Sequence, residues 1–146
     1  MAILLVTTVL QSSSSLCTGI TSTLVRSPLN EAIEEGSAVT FQCSIRNVNS
    51  SLIQWFNSTC VTTTRSVGRC RDDLIYTGVN LVDNFRQRFD VTMDDNATHV
   101  TRDLDISSTQ LTDAGVYLCT ERIPGVAKVT DSGGAQLIVL GNYDVV

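Results

Sequence analysis

The sequence predicts an all-β fold, a sandwich of two packed antiparallel sheets, and three observations carry that expectation. Short runs of alternating apolar and polar residues, about eight or nine of them, follow one another with turn residues between, which is the period-2 pattern of half-buried strands. The chain of 146 residues is 42% hydrophobic but only 5% aromatic, so its core must be mostly Val, Ile and Leu, which fit a pleated surface. Cys43, Trp55 and the run Asp113-Ala114-Gly115-Val116-Tyr117-Leu118-Cys119 then occur in that order. The length suits one domain with a real core.

Each strand has its own justification. Thr23 to Ile33 reads as a first strand interrupted at Pro28, where edge strands break. After the turn at Gly36, the residues Val39, Phe41, Cys43 and Ile45 share one face at period two. Leu52 to Phe56 follows, with Ile53 and Trp55 inward and Gln54 and Phe56 outward. Asp73 to Gly78 forms the next strand, with a short segment near Val79 to Val82 after it. Arg88 to Thr92 places Phe89 and Val91 inward. In His99 to Ser107, Val100 points inward and is followed by Leu104 and Ile106, and the gap between them suggests a bulge. Gly115 to Glu121 and Gly133 to Leu140 complete the set.

Cys43, Trp55 and the D-x-G-x-Y-x-C run resemble the immunoglobulin superfamily, in its variable (V-set) type, over Thr23 to Gly141. The Leu74-Ile75-Tyr76 run looks like that type's C′ strand. The resemblance implies Greek-key connections and a Cys43–Cys119 bridge between the sheets, with Trp55 packed on it. It also implies that the Tyr117 hydroxyl ties the E–F corner to the backbone. Arg88 and Asp113 occupy the places of the ion pair that closes the lower end of such domains. Of the three ways to pair the four cysteines after residue 19, this fold permits Cys43–Cys119 with Cys60–Cys70. The first bridge would contribute about 4–5 kcal/mol and the second about 2.5–3. Gly133 to Gly141 also looks like the joining-segment tail of antigen-receptor domains, (F/W)-G-x-G-T-x-L-x-V, with Gly134, Leu137 and Val139 matching. Asp131 stands in the aromatic place and Ser132 in that of the first glycine. Serine tolerates positive φ poorly, which speaks against the glycine bulge of that strand. An ordinary last strand after a Gly-Gly turn is the other reading. An invertebrate V-J-type receptor is the lineage the tail and the extra cysteines suggest.

Residues 1–19 read as a signal peptide: Ala2 to Leu10 is apolar and uncharged, four serines follow, and Cys17 and Gly19 suit the −3 and −1 positions of cleavage. The pattern lacks a Lys or Arg near Met1. Residues 20–141 form the domain, and 142–146 a tail or linker. The leader carries no charge, so the mature domain keeps a net charge of −5. That disfavours nucleic acid and anionic membrane as partners. No later apolar run approaches the ~20 residues of a membrane span, so any membrane link would come through a segment outside this sequence, and the expected location is extracellular. Zinc wants paired short cysteine spacings such as C-x₂-C, and the sequence has none.

Three N-x-S/T sequons mark Asn49, Asn57 and Asn96 as candidate glycosylation sites at loops or strand ends. Nothing points to catalysis or to a cofactor. His99, the one histidine, has no nucleophile placed beside it, and Asp94-Asp95-Asn96 reads as turn chemistry rather than a calcium loop. Recognition remains. Phe56 and Leu118 stand where paired antigen-receptor domains place partner-contacting aromatics, with Tyr76, Asp73 and Asp131 as neighbours. The expected function is a secreted or cell-surface immune-type recognition domain that binds protein through its front sheet and loops. The alternatives are a homophilic adhesion or allorecognition domain and a carbohydrate-binding pattern-recognition domain, for which Arg46, Arg65 and Arg69 are available.

Overall fold

In the computed structural model, the described residues are 24–46, 51–60, 70–123, 125 and 130–142, with the backbone alone at 60, 70 and 130–132. Residues 1–19, read above as a signal peptide, together with Asn49 and residues 126–129 lie outside them. Ten strands are present: β1 (Leu24–Arg26), β2 (Glu31–Glu34), β3 (Val39–Phe41), β4 (Ser44–Arg46), β5 (Leu52–Cys60), β6 (Cys70–Tyr76), β7 (Phe89–Asp95), β8 (His99–Ile106), β9 (Gly115–Arg122) and β10 (Thr130–Leu140). One sheet runs β1-β4-β8-β3, with β7 on the other side of β8; the other runs β2-β10-β9-β5-β6. This is an immunoglobulin-like sandwich, with β6 added to the sheet of β10, β9 and β5.

Pro28 divides the first strand between the two sheets: β1 pairs antiparallel with β4, and β2 pairs parallel with β10. The antiparallel expectation therefore needs one correction, at β2. A close approach makes the crossing work. A Cβ on Gly133 would stand 2.4 Å from Ser27 Oγ and 3.0 Å from Pro28 Cδ, so no other residue fits there without moving the kink. The segment expected at 79–82 forms no strand; it contributes one bridge, Tyr76 to Leu81.

The core lies between the sheets, built of Val39, Phe41, Ile45, Ile53, Ile75, Leu104, Ile106 and Leu137 around Trp55 and Tyr117. Cys43 and Cys119 are bonded across it, 76 residues apart in sequence, and both are fully buried. Trp55 stands opposite Cys119 in register and is 0% exposed. Its indole N–H donates to the Arg102 carbonyl at 2.8 Å. That carbonyl would otherwise face the Cys43 N–H across the ladder. The Cys43 N–H instead donates to Asp103 Oδ1 at 3.1 Å, while the Arg102 N–H still reaches the Cys43 carbonyl at 2.9 Å. One strand of the ladder is thus read as two, β3 and β4, and the break is the imprint of the tryptophan.

Strand β8 corrects a second expectation. Its registers with β7 and with β3 and β4 run without a shift. No bulge separates Val100 from Leu104, because Arg102 takes the inward position between them. A charge at the rim of the core needs a partner, and Asp95 supplies it: Arg102 Nη1 and Nη2 hold the two carboxylate oxygens, the latter at 3.0 Å. The hydrogen bonds from Arg102 hold the Asp95 carboxyl below its ordinary value, against a smaller effect of burial.

Candidate interaction face

The β5–β6, β5–β9 and β10–β9 registers place Leu74, Phe56, Leu118 and Gly134 in a single row across the front sheet. Leu74, Phe56 and Leu118 are half-buried and Gly134 is exposed. The absence of a side chain at Gly134 is used: its Cβ would meet Leu118 Cδ2 at 3.0 Å, so Leu118 fills that space. Along β5 and β9 the row is flanked on the same face by polar residues that are nearly covered. Gln54 is 6% exposed and Thr120 7%. Gln54 keeps its outward parity but is closed off by the turn after β6, where its Nε2 donates to the Thr77 carbonyl at 3.1 Å. Gly78 allows that turn, with φ +99° and its Cβ position 3.0 Å from Leu52 Cβ. Val116 and Gln136 form the next row down.

Two residues expected on this face lie elsewhere or outside view. Tyr76 is 3% exposed and belongs to the core. Trp55 opposes Tyr76 while Phe56 opposes Leu74, so Ile75 is an extra residue and a bulge turns Tyr76 inward. Its hydroxyl lies 3.9 Å from Met93 Sδ. The Asp131 side chain lies outside the described residues, but its backbone is informative. Thr130 pairs with Glu121 and Ser132 with Thr120, which leaves Asp131 unopposed. The strand-G bulge is therefore present without its first glycine.

The lower end of the sandwich has the expected geometry. Arg88 grips Asp113 with both guanidinium nitrogens, at 2.5 and 2.8 Å, and the Gln110 N–H donates to Asp113 Oδ2 at 2.8 Å. The Tyr117 hydroxyl donates to the Asp113 carbonyl at 2.6 Å. Burial pushes the Asp113 carboxyl up, but Arg88 and the Gln110 N–H outweigh it and hold the group below 3.8. Burial raises the Tyr117 hydroxyl well above its ordinary range.

The sequons separate cleanly. Asn96 is exposed at the β7–β8 turn, and its Oδ1 accepts from the N–H groups of Thr98 and His99 and from Thr98 Oγ1 at 2.8–3.0 Å. Its amide nitrogen takes none of these bonds. Asn57 lies at neither a loop nor a strand end. It is paired on both sides, with Asp73 and Tyr117, and its Oδ1 is buried without a partner among the described residues. The expectation of a loop or strand-end position for Asn57 is corrected on that ground.

On the opposite sheet, Asp90, Asp94, Asp103 and Asp105 share the outward face of β7 and β8. Asp105 accepts from Thr40 Oγ1 at 2.6 Å and from Thr92 Oγ1 at 2.5 Å. Burial raises the Asp103 carboxyl. Among the described residues no group of three or more His, Cys, Asp or Glu side chains is placed to hold a metal ion. Nor is any described helix long and apolar enough to cross a membrane.

The class this architecture defines is an immunoglobulin-like domain closed by an inter-sheet disulfide. Set against protein-family models and curated proteins, the chain matches none of them.

Proposed function

We propose that this chain is an extracellular recognition domain of the variable immunoglobulin type, from an immune-type receptor, that binds protein through the outward face of its front sheet. It acts by binding and not by catalysis, without a cofactor. The observation that supports this reading is the row Leu74–Phe56–Leu118–Gly134. Three apolar side chains on the adjacent strands β6, β5 and β9 face away from the core, with covered polar groups beside them. Singly such residues are ordinary, but a continuous row is what a partner buries. The surviving bulge at Asp131 agrees with a joining-type strand, and the net charge of −5 argues against nucleic acid. A glycan on Asn96, at the β7–β8 turn of the other sheet, would leave this face open; glycopeptide mass spectrometry should find it there and not at Asn57.

A second reading is favoured by the exposed Gly134 at the end of the row. A flat, apolar sheet face can meet its own copy about a two-fold axis. The two readings share one experiment. An array of cell-surface ectodomains, this chain included, is probed with multimers of the wild type and of Phe56→Arg. The expected result is a protein-borne signal that falls at least tenfold with the arginine. Binding that survives Phe56→Arg rejects the front sheet, and signal confined to a glycan array supports the carbohydrate alternative instead.

A further inference from the structure

Cys60 and Cys70 are directly opposed as the last pair of the β5–β6 ladder. We propose that they form a second disulfide that staples this hairpin, a modification that is independent of what the domain binds. The register carries the argument. Directly opposed residues of an antiparallel pair have Cα atoms about 4.5 or 5.5 Å apart, according to whether the pair is hydrogen-bonded. Both spacings lie within the ~4.4–6.8 Å that a disulfide spans. A shift of the ladder by two residues would carry the pair beyond that reach, and a shift by one would turn the two side chains to opposite faces.

The remaining cysteines narrow the choice of partner. Cys43 and Cys119 are already joined to each other in the core, and Cys17 is the one other cysteine in the sequence. The bridge closes the ladder four pairs beyond Phe56–Leu74, roughly 13 Å along the strands. At the other end of β6 the bulge at Ile75 and the buried Tyr76 fix the strand. The staple therefore holds the end of β6 that the core does not.

Formation is a thiol–disulfide exchange. One thiol displaces a sulfur of an oxidised dithiol carrier to give a mixed disulfide. The other, as thiolate, attacks it, the Cys60–Cys70 bond forms, and the carrier leaves reduced by two electrons with two protons released.

The test uses the full chain, secreted from insect cells or refolded in a glutathione redox buffer, then alkylated with N-ethylmaleimide, deglycosylated and digested without reduction. Trypsin cuts after Arg65 and Arg69, so Cys60 and Cys70 fall in separate peptides. The expected product is the 47–65 peptide joined to Cys70-Arg71, lighter than the two by two hydrogens. N-ethylmaleimide on both cysteines, or a link from either to Cys17, Cys43, Cys119 or a second copy, overturns the proposal. The double variant Cys60→Ser/Cys70→Ser, with the core disulfide retained, should exchange the backbone amides of 57–59 and 71–73 at least tenfold faster. Equal exchange would overturn the stapling role.

Discussion

The two outer faces of this sandwich are built by the same alternation and used in opposite ways. On the β8 sheet, four aspartates and their threonine neighbours face out, and much of their hydrogen-bonding capacity is met within the sheet: Thr40 and Thr92 both donate to Asp105, and the Cys43 N–H to Asp103. On the β9 sheet, Leu74, Phe56 and Leu118 face out side by side in one row. A face that satisfies itself with polar groups gains little by being covered. A face of half-buried apolar side chains gains roughly 25 cal/mol for each Å² removed from water. The difference favours the β9 face for the recognition proposed above, on a fold whose core is shared by both.

That contrast can be strained from its shared foundation outward. The largest effect is expected from Asp113→Ala. The Asp113 side chain is 7% exposed and Arg88, its partner from the opposite sheet, 26%. Removing the carboxylate strands the guanidinium and frees the Gln110 N–H, a loss of about 2–4 kcal/mol. Urea unfolding should show it as a lower midpoint at unchanged slope; a loss under about 1 kcal/mol would make the pair an ordinary surface bridge. Both faces should weaken together, since the pair ties the sheets.

Next in size is the difference between the faces themselves. Leu118→Arg should reduce partner binding or self-association at least tenfold, about 1.4 kcal/mol. Asp94→Arg, on the acidic face, should leave it within twofold. Equal losses in surface plasmon resonance would erase the distinction drawn here.

The smallest effect concerns acid. The Asp113 and Asp95 carboxyls lie below 3.8 when folded, so their stabilisation is present above the ordinary value and lost as the pH falls through the folded one. Asp103 lies above 3.8 because of its burial, and its contribution is complete in acid and lost as the pH rises through its folded value. Asp103→Asn, which keeps an oxygen for the Cys43 N–H, should therefore raise stability near pH 7 by less than about 1 kcal/mol and steepen the rise in stability between pH 3 and 7 that Asp113 and Asp95 cause, because it removes the opposing loss. Thermal melts across that range check the sign.

Much of this was legible in the sequence, for a physical reason. Cys43, Trp55, Tyr117, Arg88 and Asp113 each depend on a role that few residue types can fill. What escaped was parity. Tyr76 reads as outward until Ile75 is found to be an extra residue, and one inserted residue reverses every face beyond it. Arg102 hid in the same way: an inward arginine breaks an apolar alternation and mimics a bulge, until Asp95 is seen to neutralise it. Asn57 read as a strand end because β5 continues past Phe56 through polar residues that lack the alternation. The bulge at Asp131 escapes a reading of the sequence because a bulge of this kind usually carries a glycine, and Ser132 stands in its place. The parallel pairing of β2 had no local signal, since it depends on a contact with β10 more than a hundred residues away.

That parallel pairing also gives the domain a direction. Because β10 starts opposite Glu121 and its Leu137 lies opposite Gly115, the chain climbs down the whole front sheet before leaving it. Leu140 and Glu34 sit side by side at that lower end, beneath which the Arg88–Asp113 clasp also lies. The strand ends at Leu52, Arg122 and Thr130 lie at the other end, roughly 30 Å away by the length of β10. Anything joined after Leu140 would thus attach at the pole farthest from those strand ends. Held from there, the domain would present them outermost and carry the apolar row along its flank.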